Sequence, residues 1–157
     1  MAAGTWKIYA SAKRKIGSGT SHITLGAGVF KMQLHRASAS AAILVLSTRS
    51  LNTSIPGEIS ATGGYAANGR NLGPATGKWT VGASTKQMKF TYTAAGLVFT
   101  ANGASLKNIK YALIRNSTGA GVGNLLCFCT LSTSPFSVTT GNTLTISPAA
   151  TGVFTLA

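Results

Sequence analysis

Carboxylate side chains are almost absent from this chain of 157 residues. Glu58 is the single acidic residue, against fourteen lysines and arginines and a formal net charge of +13. Most glycosidases and the aspartic proteases need two carboxylates, so one acid cannot serve them. A Ser-His-acid triad would have to combine Glu58 with His22 or His35, and no serine lies in a G-x-S-x-G motif. The composition therefore argues against the common hydrolytic enzymes.

Charged residues of both signs are also scarce. They make up 10% of the chain, where about 25% is usual. Hydrophobic residues make up 45%, so the polar surface must come from Ser, Thr, Asn, Gln and Gly, which is typical of a β-rich assembly subunit. The chain has no apolar run of the ~20 residues that a membrane helix needs and no signal-peptide core at its start. We expect a protein made in the cytoplasm that stays soluble and has no membrane partner.

Only two cysteines are present, Cys127 and Cys129. In a strand, residues two apart share one face, and their parallel side chains are poorly placed to form a disulfide. Their spacing matches neither a CxxC redox motif nor a zinc-binding pair. We therefore expect two free, buried thiols, no metal site and no cofactor.

Apolar and polar side chains alternate with a period of two along much of the chain, which is typical of half-buried strands. Eight to ten such strands, separated by turn signals, predict one all-β domain over 1–157, an antiparallel β-sandwich or jelly roll with a short N-terminal helix. In 29–36, Gln33 and His35 would face away from the apolar side. The alternating stretches are VFKMQLHR (29–36), QMKFTYT (87–93), NIKYALIRN (108–116), NTLTIS (142–147) and GVFTLA (152–157), and the turn signals are Gly63-Gly64, Asn68-Gly69, Asn102-Gly103 and Gly141-Asn142.

Three segments depart from this alternation. Trp6 to Ile16 has a partial helical stripe ended by Gly17, so 1–16 is predicted as a short helix or arm. The segment AAILVLS (41–47) is apolar on both faces and is predicted as a central strand or a short buried segment. GAGVGN (119–124) lacks the Gly-Lys-Ser/Thr ending of a phosphate-binding loop and is predicted as a hairpin loop.

The order of several short motifs is informative. After a basic amphipathic start and the first strand comes a Glu-hydrophobic-x-x-x-Gly-Tyr segment, matched with one residue of slack by Glu58, Ile59, Gly64 and Tyr65. A Gly-Asn-Thr strand (141–143) and a Gly-hydrophobic-Phe terminus (152–154) follow. In this order the chain resembles a group of small virion proteins from the structural regions of tailed bacteriophages, from which it departs by its shortage of acids. The resemblance spans most of the chain and implies a structural role without any catalytic residue.

The positive charge has three open interpretations. Lys7, Lys13, Arg14 and Lys15 form one cluster, and Lys107, Lys110 and Arg115 form another. Such an excess indicates nucleic acid as a partner, but the chain has no Arg-rich tail and no run of aromatics for base stacking. A diffuse positive surface that complements an acidic protein lattice is the interpretation we favour. The third is that the lysines only keep the protein in solution.

Glu58 lies at the edge of a glycine-rich loop that also carries Tyr65 and Arg70. A carboxylate there can accept hydrogen bonds from loop N–H groups or from a bidentate arginine. The alternative is a contact with a basic patch on a neighbouring subunit.

Together these features predict a non-enzymatic protein of a phage virion. Its expected role is capsid decoration, in which copies bound to the major capsid protein stabilise the head; a tail or head–tail connector component and a nucleic-acid-binding protein are the alternatives. We expect a homo-oligomer, and the trimer is the oligomeric state we favour. The predicted interface residues are Trp6, Lys7, Tyr9, Lys13, Arg14 and Lys15. The alternative for the apolar residues Trp6, Ile8 and Tyr9 is that they cap the subunit's own core.

Overall fold

A computed structural model of the chain describes residues 4–16, 23–47, 51, 55–73, 79–81, 87–118 and 122–156. Within these residues the protein is mostly β, with short helical pieces, as the sequence predicts. The elements are β1 (Lys7–Ile8), α1 (Ala10–Ile16), β2 (Phe30–Arg36), a 3-10 turn (Ala37–Ala39), α2 (Ser40–Ile43), β3 (Arg70–Asn71), β4 (Trp79–Val81), β5 (Met88–Phe90), β6 (Leu97–Thr100), β7 (Leu106–Asn116), β8 (Leu125–Thr130), β9 (Phe136–Val138), β10 (Thr143–Ile146) and β11 (Phe154–Leu156).

The largest sheet is built around β7, whose 11 residues make it the longest described strand. Strands β1, β8, β7, β2 and β3 lie side by side in that order, and β9 pairs with the first part of β7. All of these pairings are antiparallel. β7 is buried from Tyr111 onward because it has a strand on each edge and packed side chains on each face.

Two smaller sheets complete the sandwich. β6 pairs with β10, and β5 lies between β4 and β11, again antiparallel. Phe30 of β2 meets Phe90 of β5 edge to face, with ring centroids 5.0 Å apart, and Phe90 stacks on Phe154 at 5.3 Å. Offset and edge-to-face rings are the favoured arrangements of buried aromatic pairs. The described buried apolar side chains form one continuous core between the sheets.

The structure corrects two of the sequence predictions. The helix predicted from Trp6 begins only at Ala10, because residues 7 and 8 pair with Phe128 and Cys127 of β8. The segment 41–47 is not a central strand. It forms the end of α2 and a following turn, in which Ala42 and Ile43 are buried but Leu44 is exposed, so the alternative of a short buried segment holds only for these two residues.

The predicted turns are confirmed by their backbone angles. Asn68 and Gly69 both have positive φ, at 69° and 79°, and Gly63, Gly103 and Gly141 share that conformation. A Cβ on Gly69 would lie 2.2 Å from the carbonyl oxygen of Met32, so glycine is required there by space as well as by φ. The loop 119–124 joins the antiparallel strands β7 and β8, as predicted for a hairpin, although 119–121 lie outside the described residues. No described helix is long and apolar enough to span a membrane.

Candidate interaction surface

The segment 57–71 returns along the free edge of β2 and pairs with it at both ends. The amide of Arg36 donates to the Gly57 carbonyl at 2.8 Å, and the amide of Ile59 donates to the Leu34 carbonyl at 3.0 Å. At the other end, β3 pairs with β2 at 31 and 32. Between these contacts the amide of Leu34 donates to the Tyr65 hydroxyl oxygen at 3.1 Å. A side-chain hydroxyl thus replaces the missing strand partner of a buried amide.

Glu58 holds that tyrosine in place. The Tyr65 hydroxyl donates to Glu58 Oε1 at 2.6 Å, and Gln33 Nε2 donates to Glu58 Oε2 at 3.0 Å. The predicted loop N–H and Arg70 partners of Glu58 are therefore wrong. Arg70 is exposed on β3 and donates to the Val98 carbonyl instead. The only acid of the chain accepts hydrogen bonds from two uncharged groups inside the subunit.

Arg115 secures the same loop from β7. It is buried, and it donates to the carbonyl oxygens of Asn68 at 3.1 Å and Asn116 at 3.3 Å. Burial lowers the pKa of the guanidinium, and the charge of Glu58 partly opposes this. The sequence grouped Arg115 with Lys107 and Lys110 as surface cations. The structure separates them, because Lys107 is exposed near the start of β7 and Arg115 lies inside near its end.

His35, which the alternation placed on the outer face, is buried. Its Nδ1 lies 3.3 Å from the Pro56 carbonyl, and its Nε2 is buried without a hydrogen-bond partner. Burial lowers the pKa of the imidazole to about 4, although the contact with Pro56 raises it slightly. His35 is therefore neutral at pH 7 and closed off from solvent.

Cys127 and Cys129 are both free and buried in β8, as predicted. Burial raises the pKa of both thiols, to about 12 for Cys129, so neither is a reactive thiolate at pH 7. No group of three or more His, Cys, Asp and Glu side chains lies together within the described residues.

The N-terminal segment divides its side chains between the core and the surface. Trp6 and Tyr9 are buried, and the Tyr9 ring packs on Phe128 with centroids 5.6 Å apart. This matches the alternative that they cap the subunit's own core. Lys7, Lys13 and Arg14 remain exposed, whereas Lys15 is half-buried and donates to Asn124 Oδ1 at 2.6 Å. Burial and then the charge of Arg14 lower the pKa of Lys15.

The fully exposed charged side chains among the described residues are all cations. Five are exposed and five are half-buried, and only Arg115 is buried. The sequence offers no signal for the burial of Gln33, which occupies a polar position of an alternating strand. Arg115 has the same parity as the apolar Ile109, Tyr111 and Leu113, and this is the signal that could have indicated its burial. The exposed cations are Lys7, Lys13, Arg14, Arg70 and Lys107; the half-buried cations are Lys15, Lys31, Arg36, Lys89 and Lys110.

No family model, curated protein or solved structure matches this chain.

Glu58→Ala should lower the free energy of unfolding by about 1–3 kcal/mol, because it leaves the Tyr65 hydroxyl and the Gln33 amide without acceptors. Glu58→Gln should cost less, since the Gln33 amide can turn its unpaired oxygen toward the new NH₂ group. Urea unfolding of both variants beside the wild type measures the difference. Equal losses for the two variants would contradict the hydrogen-bond role.

Stability should fall between about pH 6.5 and pH 4 through His35. The unfolded chain takes up this proton near 6.5 and the folded chain only near 4, so the contribution is complete above 6.5 and lost on acidification. The loss should be at most about 3 kcal/mol. Thermal unfolding across this range, repeated on His35→Gln, tests it. The stability of His35→Gln should depend less on pH over this range. An unchanged slope of stability against pH would show that other groups cause the loss.

Proposed function

We propose that this protein is a non-enzymatic structural component of a tailed-phage particle, and specifically a decoration protein that binds an acidic capsid lattice from outside. The resemblance of its motif order to phage virion proteins supports the class. The observation that carries the proposal is the distribution of charge. The fully exposed charged side chains of the described residues are all positive, and the single acid, Glu58, is half-buried and accepts hydrogen bonds from Tyr65 and Gln33 within the subunit.

The groups that would carry hydrolytic or thiol chemistry are engaged or enclosed in the described structure. His35 and both cysteines are buried, Glu58 accepts hydrogen bonds from its two donors, and His22 lies outside the described residues. The exposed cations, by contrast, are free to complement negative charge on another molecule. Charges at an interface set orientation and association rate more than affinity, which suits a subunit placed on a pre-formed lattice.

Stabilisation of the head follows from mass action. A subunit that binds only the assembled shell lowers the free energy of that shell relative to its separate parts. A tail or connector component would use the same cationic surface. Its location on the particle is what distinguishes that role from decoration of the head.

Nucleic acid is the second candidate, favoured by the net charge of +13. Single-strand binders use exposed aromatic side chains on which bases stack. All twelve aromatic residues of this chain fall within the described residues, and none is exposed; only Trp79 and Phe136 are half-buried. Binding to the phosphate backbone of duplex DNA needs cations alone. Duplex binding is therefore compared directly with capsid binding below.

Self-association as a trimer is part of the proposal. Copies carrying +13 each repel one another, so they must meet through surfaces without charge. The stretch 116–157 contains no lysine, arginine, aspartate or glutamate. Its exposed residues are mainly serine and threonine, as in β9 and the loops around it. This charge-free stretch is a suitable self-contact, and it leaves the cations for the lattice.

Purified undecorated capsids should bind the protein more tightly than duplex DNA at about 150 mM salt. The double variant Lys13→Gln with Arg14→Gln should weaken capsid binding by about three- to tenfold, as expected for two exposed charges. Lys89→Gln, on the separate β5 sheet, is the matched single-charge control. Sedimentation of mixtures measures binding. Tighter binding to DNA than to capsids would overturn the decoration role.

The free protein should have the mass of three chains in light scattering, and added salt should strengthen the assembly because it screens the repulsion. Replacing exposed Thr143 in the charge-free stretch by lysine should weaken it, whereas replacing exposed Ala67 by lysine should not. A monomer at every concentration would refute the trimer.

A further inference from the structure

A surface cleft of about 240 Å³ lies where β2 ends and β7 begins. The end of β2 supplies Arg36, and the start of β7 supplies Leu106 and Lys107. The loop behind Glu58 supplies a second wall through Ile59, Ser60 and Thr62, and residues 104 and 105 complete the lining. Small-molecule pockets usually occupy about 300–1,000 Å³. This cleft is of a size for one side chain of a partner rather than for a cofactor.

The cleft carries positive charge with no counter-charge. The Arg36 side chain is half-buried, its Nη2 donates to Ser60 Oγ at 2.6 Å, and its Nε is buried without a hydrogen-bond partner. Lys107 lines the same cleft and is exposed. The only acid that could neutralise either cation is Glu58, whose two oxygens are occupied by Tyr65 and Gln33. A half-buried guanidinium without a counter-ion favours an anionic ligand.

The backbone beside the cleft is irregular on both edges of β7. The register of β2 against β7 shifts between His35 and Arg36, and the register of β9 against β7 shifts between Leu106 and Ile109. Asn108, within this interval, has a positive φ of 61°. Bulges and left-handed non-glycine residues cluster at binding sites, where they redirect side chains. The irregularity alters the course of β7 next to Lys107.

We propose that this cleft binds a carboxylate side chain of an acidic protein partner. The assignment rests on the proposed function and names the contact that recognises the lattice. The lining combines apolar Ile59 and Leu106 with cations and the hydroxyl groups of three small residues, which fits a carboxylate on a short aliphatic stem. The Arg36 guanidinium donates two parallel hydrogen bonds to the carboxylate oxygens of the partner, and Lys107 adds a second positive charge.

The cleft and Lys15 lie toward opposite ends of β7 in the central sheet. Lys15 is bonded to Asn124, beside the end of β7, whereas the cleft lies at its start. β7 has eleven residues, so these ends are at most about 33 Å apart. One subunit can thus contact two acidic positions at once, as bridging of a capsomer junction requires.

The test is an amide chemical-shift titration of the full-length protein with a capped Gly-Glu-Gly peptide, with Gly-Gln-Gly as the control. Only the glutamate peptide should shift residues 36, 60, 105 and 107. Arg36→Gln and Lys107→Gln should each weaken binding about fivefold or more, and Arg36→Lys should lie between wild type and Arg36→Gln. Lys89→Gln should bind like wild type. Lys107 is exposed, so its variant tests the site even if Arg36→Gln does not fold.

Equal shifts with the glutamine peptide, shifts outside the cleft, or equal weakening by Lys89→Gln would overturn the proposal. Inorganic phosphate or a DNA duplex that binds these residues more tightly than the peptide would overturn the carboxylate assignment. The proposed function fails separately. If capsids bind wild type and Arg36→Gln equally, the cleft is wrong and the decoration role stands. If the peptide occupies the cleft but capsids do not bind wild type, the decoration role is wrong and the cleft stands.

Discussion

The hydrogen bond from the Tyr65 hydroxyl to Glu58 organises the edge of β2. Through it the Tyr65 oxygen is fixed where it accepts the Leu34 amide, and the segment 57–71 can leave the strand and return to it. The return requires glycine at 69, where a Cβ would strike the Met32 carbonyl. The wall of the Arg36–Lys107 cleft belongs to this segment, so the cleft exists only because the loop is held. This polar contact therefore supports both the loop and the cleft, together with the backbone pairing to β2 and the Arg115 side chain.

The sole carboxylate is used inside the subunit and is bonded to neutral donors. Burying an ion pair carries a desolvation cost that its attraction repays only in good geometry, whereas Tyr65 and Gln33 bring no second charge to desolvate. The exterior is left with one sign of charge. Under the proposed role, the cationic surface complements an acidic lattice, and charge-free stretches such as 116–157 are available for contact between copies.

Much of the fold could be predicted because its signals are local. Period-two alternation identified the strands that became β2, β5, β7, β10 and β11, and glycine and asparagine pairs identified turns with positive φ. The burial of Gln33 and His35 could not be predicted, since the segment that covers them lies more than twenty residues further on. Likewise, Arg36 and Lys107 are 71 positions apart and meet only through the β2–β7 pairing. Tyr9 looked like an interface residue because nothing local revealed that Phe128 would pack on it.

The central claim is that a single-sign surface places this subunit on an acidic shell and bridges two positions of it. Cryogenic electron imaging of particles carrying the protein, at a resolution that shows side chains, tests this most directly. The account predicts trimers on the outside of the head, with carboxylates of the shell at the Arg36–Lys107 cleft and near Lys13 and Arg14. Density on the tail, inside the head against DNA, or on the head with these cations facing solvent would contradict it.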